Sequence, residues 1–470
     1  MMRKLAFTPA LVLALAGCVN MAPAHERPAL STEPGFDPEY RPDGTVTATT
    51  LGWRSFFSDP RLAALIDAAL QNNRDLVIAT SRIEQARAQF RIEDSRRLPQ
   101  PVADAAATRT RTPLTALTGG AGGAGSITYD RFNVGVGVSG FELDFWGRVA
   151  NLSEAARAQY LATIAAQRAF YLSLIGDVAS TYFQLVETQE QLDLAQATLD
   201  SRREGLRIEQ LRMDAGVTSA LPFRQAETLL TQAEQQVAEQ HLQAARLRNQ
   251  LAVLVGGRLP AELPIGRSLL EQDNGIRLDA GLPSDLLLAR PDVVAAEENL
   301  RAARANIGAA RAAFFPSISL TGSAGFTSDK LDNLFSDDGL TWSFGPSLSL
   351  PIFDWGAREG QLDLARSLEV EQVATYDLTV QNAFREVADA LAGRRWMAEQ
   401  VDTLERAVVA QEEIARIAHL RYREGVADYL EVLDAERNLF TARQNLLTTR
   451  RAQRQNDVTL YIALGGGTQE

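Results

Sequence analysis

The amino-acid sequence predicts a mainly helical chain that carries four membrane-type β-strands, and three copies of it would close a twelve-stranded barrel. Three observations lead to this prediction: long helices with an apolar residue at every seventh position, strands that alternate between apolar and small polar residues, and an internal duplication of the whole arrangement. The fold class that follows is mainly α with membrane β, in a homotrimer.

The first 17 residues have the pattern of a cleaved secretory signal. A basic start at Arg3 and Lys4 precedes an apolar run, Leu5–Ala16, that is too short to span a bilayer. Cys18 is the only cysteine among 470 residues, so no disulfide can form within the chain. We therefore expect residues 1–17 to be removed and the exported chain to be held together by packing alone.

The four residues Leu15-Ala16-Gly17-Cys18 resemble the bacterial lipobox, in which the cysteine becomes the lipidated first residue of the mature chain. That resemblance implies S-diacylglycerol and N-palmitoyl groups on Cys18, with no other cofactor, and Val19 is compatible with sorting to the outer membrane. An ordinary signal peptide with an incidental cysteine is the alternative. The Pro-rich residues that follow predict an extended, lipidated tether over 18–58.

An internal duplication organises the chain beyond the tether. Motifs recur 217 residues apart near the start of each copy, as in Pro99 and Pro316, and 209 residues apart farther along, as in Trp146 and Trp355. The Gly-rich stretch 118–126 in the first copy accounts for the difference. The predicted organisation is a first repeat over 59–257, a linker over 258–290, a second repeat over 291–466 and a tail over 467–470.

Each repeat is predicted to contain a helix, a strand pair, a very long helix, a tight turn and a shorter helix. Asp59-Pro60 opens the first helix, which we expect to continue to about Arg97. The long helices are predicted over 149–213 and 357–424, and the shorter ones over 221–256 and 429–465. A coiled-coil pattern follows the first long helix, at Ile164, Tyr171, Val178, Leu185, Leu192, Leu199, Leu206 and Met213. The second keeps it except at Arg394.

The strands are predicted near 102–116, 131–145, 317–328 and 340–353. The last reads LTWSFGPSLSLPIF, in which large apolar residues alternate with Thr, Ser and Gly. We expect a bulge or break at Pro346, because proline cannot donate to a ladder.

Four such strands cannot close a barrel alone, since single-chain membrane barrels need at least about eight. Three chains would supply twelve strands and remove every edge. The apolar residues would then face lipid, and the small polar residues would line a water-filled pore. A soluble β-sandwich is the alternative, but it does not explain why a very long helix follows each strand pair.

Composition and motifs exclude several classes of function. The net charge of −12 argues against a nucleic-acid partner. The three histidines are scattered, and no nucleophile–base arrangement, phosphate loop or zinc motif points to an enzyme. A trimeric coiled-coil adhesin and an envelope scaffold remain as alternatives, because both are exported, long and rich in heptads.

The segment LPSDLLLARPDVVAAEENLRAARANIGAARAAFFPSISLTGSAGF (282–326) resembles the signature of TolC-type outer membrane factors, in the lipoprotein branch of OprM- and NodT-like efflux channels. The turns DAGVTSALPFRQAE (214–227) and REGVADYLEVLDAER (423–437) are similar to that family's periplasmic helical turns. The resemblance implies a homotrimer whose outer-membrane β-barrel is continuous with a periplasmic α-helical barrel. A mixed equatorial belt would be built from 257–290 and the two chain ends.

The resemblance also implies a function and partners. The chain would be the passive exit duct of a tripartite efflux system, fed by a periplasmic membrane-fusion (adaptor) protein and an inner-membrane pump of the resistance-nodulation-division type. Outer-membrane lipid would surround the barrel. The outer-membrane component of a type I-like secretion system is an alternative. A polar tunnel discriminates little, so the pump and adaptor would choose the substrate.

A duct that is open at rest would leak, so we expect its periplasmic end to close. On the helix after the second turn, Leu430, Asp434 and Arg437 share a face, with Glu431 beside them, and we expect these four residues to form the gate. One inward carboxylate per chain becomes a ring of three in a trimer, and charged rings are a means by which pores select ions. The family resemblance places a hydrophobic and an aspartate constriction at Leu430 and Asp434.

The turns themselves are expected, by the same resemblance, to meet the adaptor tip to tip. They comprise Gly216, Val217, Thr218 and Ser219 in the first repeat and Gly425, Val426, Ala427 and Asp428 in the second. Some family members lock the closed tip by joining a tyrosine and an arginine on the second turn to an aspartate on the first. Tyr422 is present, but the other two positions read Ala427 and Pro222, so we do not expect that lock here.

Overall fold

The structure is a computed structural model that describes residues 19–29, 44, 46–114, 125–273, 275–279 and 290–467. The predicted signal 1–17, the lipidation residue Cys18, most of the Gly-rich stretch and residues 280–289 of the linker lie outside the described residues. The chain divides into two compact units. The first comprises the described parts of Met1–Pro28, Ile83–Thr163 and Ala296–Tyr376, and the second those of Ala29–Arg82, Ile164–Ala295 and Asp377–Glu470.

Helices form most of the described chain. In order they are α1 (Trp53–Phe56), α2 (Pro60–Asn72), α3 (Arg74–Ser95), α4 (Arg148–Asp214), α5 (Ala220–Leu254), α6 (Pro291–Ala312), α7 (Ala357–Arg423) and α8 (Tyr429–Ala463). Their lengths match between repeats: 22 residues in α3 and α6, 67 in α4 and α7, and 35 in α5 and α8. Such equality is what an internal duplication predicts. None of the described helices combines the length and apolar character needed to cross a bilayer.

The single helix predicted from Asp59 to about Arg97 is two helices, so that prediction is wrong at its middle. Asn73 separates α2 from α3 and caps the start of α3, because its side-chain oxygen accepts the Leu76 N–H at 2.9 Å. Its amide group donates to the carbonyl oxygen of Leu254 at 2.8 Å. A long-range contact therefore fixes a break that no proline or glycine marks in the sequence.

The strands are β1 (Val46–Thr47), β2 (Pro101–Pro113), β3 (Ser126–Leu143), β4 (Leu278–Asp279), β5 (Ser317–Ser328) and β6 (Leu340–Ser349). In the first unit, β2, β3, β5 and β6 form one antiparallel sheet in that order. In the second unit, β1 pairs with β4 in parallel. β6 ends four residues before the predicted end at 353, and β3 begins five residues before the predicted start at 131.

The irregularity expected at Pro346 lies elsewhere, so that prediction is wrong. β6 pairs with β5 in continuous register, and its position at the edge of the sheet within the chain tolerates the missing N–H of proline. The register shifts instead in β3, between Val138 and Phe141, where Gly140 has a φ of 67°. The shift keeps Phe141 on the apolar face with Val138, whereas three steps along a regular strand would separate them.

The helices of the first unit follow the lateral order of the strands that they adjoin. The contacts that define this order are the stacked rings of Phe90 and Tyr160, the buried alanines Ala155, Ala158, Ala302 and Ala305, and the cluster of Ile307, Ala310 and Ala365. They give the order α3-α4-α6-α7 beside β2-β3-β5-β6. As a result, α3 and β2 form one edge of the unit, and α7 and β6 form the other.

One buried carboxylate joins three parts of the second unit. Asp59 caps the start of α2 by accepting two backbone N–H groups there. It also accepts the Tyr182 hydroxyl at 2.7 Å, the Gln272 amide at 2.6 Å and the Arg267 backbone N–H at 2.9 Å. Burial alone would raise the pKa of Asp59, but these hydrogen bonds outweigh it and lower the pKa. Asp59 thereby connects α2, α4 and the linker.

The prediction of an extended tether over 18–58 is wrong for the last part of that range, which packs into the second unit. Trp53 is buried, and the Phe56 ring stacks on Tyr461 of α8 at 4.1 Å. Arg394, which interrupts the heptad pattern of α7, donates to the carbonyl oxygen of Leu278 in β4 at 2.8 Å. The linker, the segment before α2 and the helix α8 thus meet within this unit.

Candidate functional site

The turn after α4 and the turn after α7 have the same backbone geometry. Gly216 and Gly425 each have a φ of 72°, in the left-handed region that glycine adopts without a Cβ clash. In both turns the N–H of the following valine bonds to the carbonyl oxygen five residues before it, at 2.9 Å for Val217 and 3.0 Å for Val426. This is the hydrogen bonding of a Schellman C-cap. The two long helices therefore end at equivalent positions in their repeats.

The residues predicted to contact an adaptor lie at these turns and are exposed or half-exposed. Val217 and Val426, at equivalent positions, both present an apolar side chain to solvent. Leu221 and Leu430, also equivalent, do the same on the first turns of α5 and α8. The duplication thus repeats an exposed apolar pair at each turn, and these side chains are available to a partner.

Three of the predicted gate residues share one face of α8. Leu430, Asp434 and Arg437 are all exposed, and the Asp434 carboxylate pairs with the Arg437 guanidinium at 2.9 Å. The opposite face carries Val432 and Ala435, which are buried against α7. The exposed face therefore presents one leucine, one acid and one base in consecutive turns.

Glu431 does not belong to that face. Its carboxylate pairs with Arg421, in the last turn of α7, at 2.8 Å. The pair joins the helices on either side of the second turn, so Glu431 stabilises the turn and leaves Asp434 as the carboxylate of the exposed face. The equivalent of Asp434 in the first repeat is Gln225, which carries no charge.

Sequence reasoning missed a hydrogen-bonded cluster that joins α4 to α7 beside the turns. The Tyr422 hydroxyl donates to the Glu209 carboxylate and accepts from Arg212, whose guanidinium lies 5.1 Å from the Tyr422 ring centre. The Glu209 side chain is only 1% exposed. Burial and the Glu209 carboxylate raise the pKa of Tyr422 to about 12, so its hydroxyl remains a donor at physiological pH.

A second ion pair extends this cluster. Arg202 of α4 contacts the Glu436 carboxylate of α8 at 2.6 Å, and His419 contacts the same carboxylate at 2.6 Å. Tyr429 lies between the two groups, with its ring centre 5.1 Å from that of Tyr422. On helices this rich in charge, Glu209 and Arg202 look like surface residues. Only the approach of α4 to α7 and α8 distinguishes Glu209 and Arg202 from residues that are exposed to solvent.

The chemistry of this region suits contact and closure. Its side chains are hydroxyl groups, carboxylates and guanidinium groups that are paired with one another, next to exposed leucines and valines. Among the residues that the structure describes, no group of three His, Cys, Asp or Glu side chains is arranged to hold a metal ion.

Comparison with known families and sequences gives a consistent result. A family profile described as outer membrane efflux protein matches residues 65–257 and 282–466, one interval in each repeat. The solvent efflux pump outer membrane protein SrpC of Pseudomonas putida is 42% identical over 461 residues, covering 97% of both chains. The cation efflux system protein CusC of Escherichia coli (strain K12) is 38% identical over 470 residues, covering 97% of this chain and 98% of the relative.

Solved structures of outer-membrane channels have the same fold. The open state of the Neisseria gonorrhoeae MtrE outer membrane channel superposes with a TM-score of 0.86 at 39% identity, covering 95% of this chain and 98% of that one. The Campylobacter jejuni CmeC outer membrane channel gives a TM-score of 0.86 at 27% identity, covering 95% of each chain. The predicted fold class, a strand barrel joined to a barrel of long helices, is confirmed by this likeness.

Replacing Tyr422 by phenylalanine should loosen the turns without unfolding the protein. The change removes the hydroxyl that Glu209 and Arg212 share and leaves a buried carboxylate short of a donor, at a cost of about 1–3 kcal/mol. Hydrogen–deuterium exchange in detergent should become faster in peptides around both turns and stay unchanged in α6. Tyr429→Phe, which keeps the Tyr422 hydroxyl, is the control. Equal exchange in the two variants would contradict this role for Tyr422.

Proposed function

The chain belongs to the outer membrane efflux protein family, and on that premise we propose that it is the exit duct of a tripartite efflux system. It conducts substrates passively across the outer membrane after a periplasmic adaptor and an inner-membrane pump have delivered them, and it catalyses no reaction. Family membership sets aside the adhesin and the scaffold. Efflux is favoured over a type I-like secretion role because the relatives are named for solvent and cation efflux.

The observation that carries this proposal is the pair of contrasting faces on the sheet β2-β3-β5-β6. One face holds large apolar side chains in the open, including Trp342, which is 76% exposed, together with Phe344 and Leu348. Exposed apolar area of this kind is unfavourable in water and favourable in lipid. The apolar face is therefore the lipid-facing surface of a barrel wall.

The other face of the sheet has small polar side chains that suit a water-filled lumen. Ser319 and Ser347 share a hydrogen bond of 2.7 Å across β5 and β6, and Ser323 and Ser343 share one of 2.8 Å. Residues of this size leave the lumen open and offer donors and acceptors to water. Each chain contributes four strands and leaves two edges unpaired. Three chains paired edge to edge close a wall of twelve strands.

The periplasmic end closes at the second turn of each chain. Leu430 and Asp434 face the axis in this proposal, so that three leucines narrow the passage and three carboxylates form a charged ring. The Asp434–Arg437 pair moderates the charge of that ring. The Tyr422–Glu209 cluster acts as an internal brace for the same helix ends and takes the place of the family lock that Ala427 and Pro222 remove.

Replacing Asp434 by alanine should raise single-channel conductance in planar bilayers and shift selectivity toward anions. The change removes the carboxylate ring and leaves Arg437 without its partner. Gln225→Ala, at the equivalent position of the first repeat, is the matched control and should leave both quantities as they are. Unchanged conductance and selectivity in Asp434→Ala would remove Asp434 from the gate.

The adaptor docks on the exposed turns, where Val217 and Val426 supply apolar contacts at equivalent places in the two repeats. Three chains would offer six such turns in a ring. A pump of the resistance-nodulation-division type is the inner-membrane partner that the family resemblance implies. The pump chooses the substrate, in keeping with relatives named for solvents and for cations.

A lipid on Cys18 anchors the chain beside the barrel. The support comes from the next residues, since the Val19 N–H bonds to the carbonyl oxygen of Phe145 at 3.3 Å, where β3 gives way to α4. Asn20 bonds to Asn151 of α4 at 2.9 Å, and Arg27 contacts Glu297 of α6 at 3.1 Å. Val19 and Asn20 are thus held at the strand-to-helix junction, close to where lipid would begin, and the residues up to Arg27 continue along α6.

Replacing Cys18 by serine should abolish incorporation of radioactive palmitate, because serine offers no thiol for the first lipid-transfer step. Labelling would be measured in cells that express each form, with Asp434→Ala as a lipidated control. Palmitate that persists in Cys18→Ser would refute the anchor while leaving the channel function untouched.

A further inference from the structure

The first repeat turns from strand to helix through a tryptophan that is held by the second repeat. Trp146 stacks on Phe315 with ring centres 4.7 Å apart, and its indole N–H donates to the carbonyl oxygen of Pro316 at 2.9 Å. Phe315 and Pro316 lie between the end of α6 and the start of β5. The contact therefore joins the β3–α4 turn of one repeat to the α6–β5 turn of the other.

The second repeat has the same tryptophan without the same contact. Trp355 corresponds to Trp146 at the 209-residue offset, but it is 90% exposed. In the part of the chain that the structure describes, its indole N–H meets no acceptor, and the one aromatic ring that it contacts is that of Phe353 in its own segment, at 4.7 Å. Phe353 and the adjacent Ile352 are also exposed.

The first-repeat equivalent of the surface that holds Trp146 is also exposed, and it lies on the opposite edge of the first unit. At the 217-residue offset, Phe315-Pro316 corresponds to Leu98-Pro99, at the end of α3, and Leu98 is 68% exposed. Leu98 lies on the α3–β2 edge, whereas Trp355 lies on the α7–β6 edge. Because two other helices separate these edges within one chain, the two halves of the contact cannot meet there.

From this arrangement we infer that Trp355 of each subunit docks on Leu98 and Pro99 of the adjacent subunit, with its indole N–H donating to the Pro99 carbonyl oxygen. This inference rests on the proposed function, which requires three chains around one duct. It makes the Trp355 contact between subunits the counterpart of the Trp146 contact within a subunit. Six tryptophan contacts would then circle the assembly, three within chains and three between them.

The segment around Trp355 holds the indole outward. Trp355 has a φ of 59°, in the left-handed region that non-glycine residues rarely adopt, whereas Trp146 does not have a positive φ. Asp354 holds the segment, because its carboxylate accepts the Gly356 N–H at 3.2 Å and contacts the Arg358 guanidinium at 2.5 Å. The indole is thus presented outward by bonds that do not involve the indole itself.

The adjoining helices agree with the same boundary. The buried alanines Ala155 and Ala302 are among those that join α4 to α6 within a chain. At the 209-residue offset Ala155 corresponds to Leu364 of α7, and at the 217-residue offset Ala302 corresponds to Gln85 of α3. Both Leu364 and Gln85 are exposed in the single chain. The exposed Leu364 would gain cover against the neighbouring α3. The exposed face of α7, the Trp355 side chain and the edge strand β6 therefore all lie on the side that would meet α3, Leu98 and β2 of a second copy.

Cysteine cross-linking in native membranes tests this contact. The full-length, lipidated double variant Leu98→Cys/Trp355→Cys, treated with a short bis-maleimide, should give covalent dimers and trimers on denaturing gels. Each single variant, which retains the native Cys18, should give monomers only. Trp146→Cys/Phe315→Cys should cross-link within the chain, and the addition of one linker mass with the loss of both new thiols would show that the reagent spans this kind of contact.

The outcomes separate the contact from the proposed function. Trimers on non-denaturing gels together with no covalent ladder in Leu98→Cys/Trp355→Cys would overturn the contact and leave the duct intact. Monomers on non-denaturing gels of the unmodified protein would instead overturn the trimeric duct itself.

A second variant guards against a double cysteine that fails to assemble. Trp355→Phe keeps an aromatic ring but loses the N–H, so its trimers should dissociate at a lower temperature than those of Trp342→Phe, which changes a lipid-facing ring. Equal dissociation temperatures for the two variants would overturn the proposed hydrogen bond.

Discussion

The architecture depends on a constraint at the two edges of one sheet. β2 and β6 each present a row of backbone donors and acceptors at an edge of the sheet, and the apolar face between them is open. In water such a sheet would be an aggregation site. In lipid each unsatisfied backbone group would cost several kcal/mol. Closure with further copies inside a bilayer meets both demands, so the barrel, the trimer and the location in the outer membrane belong together.

Duplication explains how one chain supplies four strands of a wall, and its imperfections make the two repeats inequivalent. The segment 19–29 lies against α6, where Gly308 leaves room: a Cβ there would lie 2.7 Å from the Ala22 backbone nitrogen. The equivalent residue of the first repeat is Arg91, which has no such room to offer. Asp434 against Gln225 is a second such difference. Each chain therefore has one such N-terminal segment against α6, one carboxylate on the exposed face of α8 and one pair of sheet edges.

Local patterns were sufficient to predict most elements of the fold. The heptads of α4 and the alternation in β6 are periodic over many residues, and the lengths of the paired helices follow from the repeat. The break at Asn73 and the bulge at Gly140 escaped prediction because distant groups decide them: Asn73 bonds to Leu254, and the shift in β3 keeps Phe141 on the apolar face. Periodicity within one segment carries no information about either.

The candidate site was predictable only on the exposed side of the turns. Gly216 and Gly425 predict the turns, and helical offsets place Leu430 and Asp434 on one face of α8. The brace behind them depends on Glu209 and Tyr422, which are 213 residues apart in the chain and meet only when α4 packs on α7. Trp355 is a different case, because its proposed role comes from comparison with Trp146. Trp355 is exposed, whereas the equivalent Trp146 makes a contact within the chain.

In the proposed duct, the two open edges of the sheet are joined to those of neighbouring copies around a water-filled lumen. A cryo-electron microscopy map of the lipidated protein in lipid nanodiscs measures this most directly. It should show three chains in which β6 is hydrogen-bonded antiparallel to β2 of the next chain, with the apolar face against lipid. A map in which β2 and β6 remain unpaired, or in which the apolar face packs against protein, would contradict a barrel closed between chains.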